Sequence, residues 1–355
     1  MPWREVWRLV RKDRLAMASL VVIVICAALA ILVQLGVIAG DVDQTLRLKR
    51  IELGEPSCLE ILIRSRGAGA ISSSGGLAFL VCDSVSLEVA ERYSFLSLRR
   101  GRDWSYHPPT LLIQIREHGI PGLFRREAWA YPLGTNLEGQ NVLSVLLHGL
   151  KWAFVIGVVT SLIAIPIAVF FGALGGYFGG VIDDIVVWIY STFASIPQLL
   201  LLIALLTFMD KSMLNVLIVI GVTTWVGLCR LVRAEFFKHK EREYVIAARA
   251  MGQSHRRMIF RHILPNVSHI IIITFTLRFV QAVSLEVLLS YVGIGVDPST
   301  PTWGQVISAA KDELARQPSV WWPLCGATLF LFVLSLAFSL LGDSVRDALD
   351  PKLRT

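Results

Sequence analysis

Arg278 and Glu286 stand inside an otherwise apolar stretch of the chain. In hydrocarbon such groups are costly, and they mark either a path for a solute or polar contacts that hold helices together. Both readings stand for this pair, with a place near an outer interface as a third for Glu286. A single pair without further titratable residues in line is not a proton relay. The other chemistry-bearing residue types lack the spacing they would need. The seven histidines form no HExxH or similar metal-ligating pattern, and His255 and His262 fall in a basic stretch where solvated side chains are expected. The five cysteines include no CxxC, which argues against a zinc or dithiol site. Gly172, Gly175, Gly176, Gly179 and Gly180 are not followed by the lysine of a phosphate-cradling GxxxxGK[ST] loop. They read instead as a surface for close helix packing and a tight turn at a membrane edge. No catalytic residue, metal or bound cofactor is expected of this chain.

The elements that carry these residues are set by composition. Of 355 residues, 54% are hydrophobic and only 17% charged, with a mean hydropathy of +0.62. Soluble domains sit near roughly 45–50% apolar and 25% charged. Here long runs carry almost no charge and the remaining charges cluster between them, the pattern of a bilayer-spanning chain. The runs Leu15 to Ala39, Trp152 to Leu174, Ile185 to Met209, Met213 to Leu231, Val267 to Leu289 and Trp321 to Leu341 each reach the ~20 residues a spanning helix needs. Pro166 and Pro197 lie inside two of them, where kinks are expected. The first run has a basic start and an Ala28-Leu29-Ala30 triplet, as a signal peptide would. Its apolar stretch exceeds the ~7–15 residues of a signal core, so an uncleaved anchor is expected.

The net charge of +7 lies mostly beside these runs, with no basic stretch interleaved with aromatics, so nucleic-acid binding is excluded. Lysine and arginine concentrate at the N-terminus, between the fourth and fifth runs (Arg230 to Arg261), and in the tail (Arg346, Lys352, Arg354). Such regions stay in the cytoplasm. Both termini are therefore expected inside, and the stretches Tyr291 to Val320 and 40–145 outside. Asp183-Asp184 falls at a cytoplasmic helix start, where acids suit the helix dipole and a capping role is expected. The organisation that follows is a segment 1–39 with the first span, an insert 40–145, a core 146–345 containing a cytoplasmic loop 235–265, and a tail 346–355. Short apolar or alternating runs separated by Gly/Ser and His-Pro-Pro stretches suggest a few strands in the insert. Cys58 and Cys82 lie there, in a compartment that permits oxidation in a Gram-negative cell. A bridge between them would close a loop of about 25 residues and stabilise it by roughly 3 kcal/mol; two buried free thiols are the alternative.

The loop carries the most information. Glu241 to Asn266 reads EREYVIAARAMGQSHRRMIFRHILPN. An amphipathic helix from Arg242 to Met251, stopped by Gly252, is expected, followed by a second short helix ending at Pro265. The small residues Ala247, Ala248 and Ala250 suit close approach of another surface. Glu243-Tyr244-Val245, Ala247-Ala248, Gly252 and Arg261 to Asn266 resemble the EYVxAAxxxG and RHILPN stretches of bacterial ABC importer permeases. The likeness is to the second permease of the dipeptide/oligopeptide/nickel family. Leu133-Gly134-Thr135, Gly175 to Gly180, Leu289 to Gly295, Pro301-Thr302-Trp303-Gly304 and Gly342-Asp343 to Pro351 extend it over nearly everything except the insert.

The resemblance implies an all-α polytopic membrane protein of the type I importer permease fold, to which the residue pattern adds a small extracytoplasmic, β-containing insert. It implies a subunit of the bacterial inner membrane that pairs with a similar permease, two cytoplasmic ATPases that bind ATP and Mg, and an external solute-binding protein. Glu243, Tyr244, Ala247, Ala248 and Gly252 would couple it to an ATPase, and spans two to six would form the path, for peptides or, alternatively, for nickel or another small solute. A secondary transporter or channel would be expected to show inverted repeats or intramembrane ion ligands. Three features depart from the family pattern. Ile246 stands where a glutamate usually precedes the alanine pair, Gly134 to Asn141 lacks the charges of GTDxxGRD, and the insert is larger than usual. The topology predicts that Ser212→Cys and Thr300→Cys react with an impermeant thiol reagent added outside intact cells and that Ser254→Cys does not; labelling of Ser254→Cys would reverse the orientation.

Overall fold

The computed structural model describes residues 7–8, 10–38, 132–136, 140–315 and 320–349. Cys58, Cys82 and the strands expected in the insert lie outside the described residues. The described chain is helical, with one isolated antiparallel bridge between Thr135 and Asn141. Its helices are α1 (Arg14–Gln34), α2 (Val142–Phe178), α3 (Gly180–Ser195), α4 (Gln198–Thr207), α5 (Met213–Thr223) and α6 (Val226–Lys240). They continue as α7 (Glu243–Ala250), α8 (His255–Arg257), a π-helical turn (Met258–Ile263), α9 (Leu264–Val292), α10 (Trp303–Leu314) and α11 (Trp322–Leu349).

Five stretches are long and apolar enough to cross a membrane, and six if the bent pair α3 and α4 counts as one. The 21 residues of α1 extend about 31 Å at ~1.5 Å per residue, close to the thickness of a hydrocarbon core. Two expected spans and one expected short helix differ in outline. The third is broken, its halves bent by 81°. Pro197 disfavours a helical backbone at the residue before it, and Ile196 is extended (φ −95°, ψ 128°). The fourth runs on to Lys240 with a break at Thr224. There Thr223 and Thr224 turn their hydroxyls onto the carbonyls of Val219 and Ile220, at 2.7 and 2.8 Å, in competition with the helix ladder. The short helix expected to end at Pro265 instead runs through the π turn into α9. Proline donates no N–H and crowds the carbonyl four residues earlier; the wider turn over Met258–Ile263 accommodates it at the start of α9. α10, in the stretch expected to be an outer loop, had no periodic reading in the sequence. Thr302 starts it, its hydroxyl accepting from the Gln305 N–H at 3.2 Å.

Two compact units divide the chain. One comprises 1–31, 149–308 and 329–355, the other 32–148 and 309–328. In the second, the Trp322 indole N–H donates to the Thr135 carbonyl at 2.9 Å. In the first, helices meet at small residues, as they do where lipid offers no hydrophobic contrast. A Cβ on Gly172 would lie 2.8 Å from the Cys229 carbonyl oxygen, and one on Gly176 would lie 2.5 Å from that of Arg233. α2 and α6 thus touch backbone to backbone. Phe279 of α9 stacks on Phe338 of α11 with centroids 3.8 Å apart, and Phe154 of α2 meets both edge-on. The start of α1 is tied to the end of α11: Ser344 donates to Asp13 Oδ2 at 2.7 Å, and Val10, Ala16, Ala348 and Leu349 are buried together.

The glycine contacts yield a paired expectation. Gly176→Val pushes Phe236 and the Arg233 backbone aside and should cost about 1–3 kcal/mol of stability. Gly227→Ala, where a Cβ meets nothing within 4 Å, should be neutral or stabilising by up to about 1 kcal/mol, since alanine favours helix. Thermal unfolding of the purified variants in detergent checks both.

Candidate functional site

The helix α7 is short because both its ends are fixed locally. Arg242 ahead of it is extended (φ −75°, ψ 147°). Gly252 behind it takes φ +75°, a left-handed backbone that suits glycine. That turn lets the Gly252 N–H reach the Arg249 carbonyl at 3.0 Å and the Gln253 N–H reach that of Ala248 at 3.1 Å. These two bonds satisfy carbonyls that a helix end leaves open.

The helix has two apolar faces. Val245 (0% exposed) and Ala248 (1%) turn into the chain's own packing, Val245 in one cluster with Tyr177, Phe236, Met258 and Ile263. Ala248, expected to leave space for another surface, is therefore filled from within. The opposite face carries Glu243, Ile246, Ala247, Ala250 and Met251, all exposed. Their spacing of three and four residues makes a continuous stripe. Ile246, which departs from the family pattern, and Met251 are its largest members, at 54% and 71% exposure.

Hydrogen bonds between tyrosine and histidine tie this helix and its neighbours to the spans. Tyr244 shares one with His239 Nδ1 at the end of α6, at 2.8 Å. Burial pushes the Tyr244 hydroxyl above the ordinary tyrosine range, so it stays protonated and able to donate near neutral pH. Tyr177 at the end of α2 shares one with His255 of α8 at 2.7 Å, and His262 bonds to Gln253 at 2.8 Å. His255 is exposed, as expected of a surface residue, and His262 is half-buried; both rings also have hydrogen-bond partners.

Beside them Asp183 and Arg233 form a two-pronged ion pair, Nε to Oδ1 at 2.5 Å and Nη2 to Oδ2 at 2.5 Å. The expected capping role of Asp183 gives way to this link between α3 and α6. Gly175 leaves room for it, since a Cβ there would come within 2.9 Å of Asp183 Oδ1. The sequence signal that was missed is an acid next to a glycine cluster at a span's end, with its partner fifty residues on.

Arg278 and Glu286 share α9 but not an interaction, and neither joins an ion pair among the described residues. Arg278 is 8% exposed. It donates from Nη1 to Thr224 Oγ1 at 3.1 Å and from Nη2 to the Thr224 carbonyl, at the break between α5 and α6. Its Nε is buried without a partner. Glu286 is 2% exposed and accepts from Ser290 Oγ at 2.9 Å and Thr302 Oγ1 at 2.8 Å. Gly304 allows this closeness, because a Cβ there would sit 2.9 Å from Oε1. The Pro301 to Gly304 stretch thereby closes over Glu286. Among the described residues no group of histidine, cysteine and acidic side chains is placed to hold a metal ion.

Two family models match parts of this chain. The family of binding-protein-dependent transport system inner membrane components matches residues 164–355, and the N-terminal transmembrane domain of oligopeptide transport permease C matches residues 1–44. The chain is 33% identical over 221 residues to the oligopeptide transport system permease protein OppC of Bacillus subtilis, covering 62% of this chain and 72% of that one. It is 35% identical over 222 residues to the dipeptide transport system permease protein DppC of the same organism, with coverage of 62% and 68%. To OppC of Mycobacterium tuberculosis it is 34% identical over 251 residues, with coverage of 70% and 85%. A chain of the inward-facing MetNI methionine ABC transporter overlays 59% of this chain and 96% of its own length at 19% identity and a TM-score of 0.45. The chain belongs to the binding-protein-dependent transport system inner membrane component family, as a multi-pass permease subunit of the inner membrane.

Proposed function

We propose that this chain forms half of the translocation path of an ATP-driven importer of di- and oligopeptides. It contributes no catalysis of its own. ATP and Mg act on two separate cytoplasmic ATPase subunits, a second permease completes the path, and an external solute-binding protein delivers the peptide. Both termini and α7 face the cytoplasm in this reading. The names of the relatives, oligopeptide and dipeptide permeases, support the substrate class. Nickel or another small solute is not favoured by them.

The observation that carries the coupling role is the exposed stripe of α7, Ile246, Ala247, Ala250 and Met251 with Glu243 at its start. A soluble loop has little reason to hold such a face open on an ordered helix, whereas a groove on a partner would bury it. On the inner face, where Ala248 is buried, Val245 packs against α2, α6 and α9, and the His239–Tyr244 bond adds a tie to α6. Force applied to the outer face would therefore reach the spans without a flexible intermediate. Gly252 serves by its backbone, and Tyr244 by its inward bond.

Two sets of variants separate docking from folding. Met251→Glu and Ala247→Glu place a charge in the proposed contact, where an unpaired charge is costly to bury. They should leave insertion and melting unchanged within about 0.5 kcal/mol and weaken co-purification of the ATPases about tenfold or more, with uptake into vesicles lost in step. Ala248→Leu crowds this chain's own core and should lower its stability by about 1–3 kcal/mol. Normal ATPase capture and uptake in Met251→Glu would remove α7 as the coupling element.

A further inference from the structure

Arg278 is the one intramembrane cation of α9, and its surroundings go beyond helix packing. It lines a cavity of about 10 Å³ together with Thr160 and Ser161 of α2, Thr224 at the α5–α6 break, and Gln281 and Ala282. The hydroxyls of Thr160 and Ser161 each donate to a carbonyl of their own helix, at 2.7 Å. Thr224 Oγ1 likewise donates to Ile220. Each therefore offers acceptor lone pairs and no free proton. Thr224 takes two of the guanidinium's prongs, through its hydroxyl and its carbonyl. The Nε edge remains without a partner. No carboxylate neutralises the charge among the described residues. A buried guanidinium in that state is an electrostatic debt that a packing role does not discharge.

A second, independent feature lies on the same helix. Leu277, Gln281, Ser284 and Leu288 are exposed in the middle of α9, spaced to lie along one face. Polar side chains at such a depth face a water-filled passage or a partner helix more readily than lipid tails. Gln281 belongs to both the open face and the cavity, so it forms the rim between them.

We propose that Arg278, entered past Gln281, is a transient binding position for a carboxylate in the translocation path, namely the C-terminal carboxylate of a passing peptide. This rests on the peptide-import reading above and deepens it. The Nε edge of a guanidinium presents parallel N–H donors that match the two oxygens of a carboxylate, which a rounder anion or a neutral amide does not match. The cavity itself has room for about one water molecule. Occupancy by a carboxylate therefore accompanies rotation of the exposed Gln281 side chain and separation of the spans that line the cavity. A site that is small in one state and larger in another binds briefly and releases, as transport needs.

The test uses the full complex in proteoliposomes, with trialanine and trialanine amide as probes, each loaded on the binding protein to measured saturation. Uptake is expressed per loaded binding protein, which divides out that protein's own selectivity. The wild-type complex should import the acid about tenfold or more faster than the amide. Arg278→Gln should bring the acid down to the amide's rate and change the amide by less than about twofold, and Arg278→Lys should restore part of the difference. Co-purification of the ATPases with each variant confirms that the permease is assembled. No preference for the acid in the wild type, or equal proportional losses of acid and amide in Arg278→Gln, overturns the proposal and leaves Arg278 a closure for the Thr224 break. Import of neither peptide by the wild type overturns the peptide reading and this proposal with it.

Discussion

The close approach of α2 and α6 at Gly172 and Gly176 is the contact on which the rest of the site depends. Without side chains at these positions, the backbone of Cys229 to Arg233 lies directly on α2. That proximity brings Phe236 and Tyr177 into one cluster, and the cluster is the seat on which Val245 rests. It also sets Asp183 within reach of Arg233 across Gly175. A methyl group at Gly176 would force the two helices apart, and the seat would open with them. In a bilayer, where apolar surfaces gain little by meeting each other, such small-residue contacts decide which helices associate.

A second constraint is that lipid offers no water to satisfy backbone groups. The spans here are nevertheless broken twice, at Ile196–Pro197 and at Thr224–Trp225. At the latter the chain supplies its own donors through Arg278, and threonine hydroxyls occupy neighbouring carbonyls. The break and the buried charge are therefore one feature. Broken helices store the capacity to change angle at a defined point, which alternating access requires of some elements in the wall of a path.

Much of this was legible in the sequence, for reasons of length and periodicity. Six long apolar runs, nearly free of charge and separated by charge clusters, could only be spans, and the stop at Gly252 followed from a glycine behind a short amphipathic stretch. The glycine cluster read correctly as a packing surface because no lysine followed it. What stayed hidden depends on contacts distant in the chain. Asp183 and Arg233 are fifty residues apart, and no local pattern distinguishes a paired acid from a dipole-suited one. The tyrosine–histidine bonds are invisible for the same reason. Ala247 and Ala248 are neighbours of identical type, and only the placement of elements distant in the chain decides that Ala248 is covered and Ala247 is not. α10 was missed because a twelve-residue helix with a mixed composition lacks the apolar run that identified the spans.

In the proposed importer, the outer face of α7 is the point where this chain exchanges work with ATP-hydrolysing subunits. Site-specific cross-linking tests that claim most directly. Single cysteines at Ala250 and Met251, joined by a short bifunctional thiol reagent to cysteines on the ATPase, should cross-link in the assembled complex, and the yield should change when ATP is bound. Absence of cross-links from both positions in a complex that hydrolyses ATP and transports would contradict a docking role for this face.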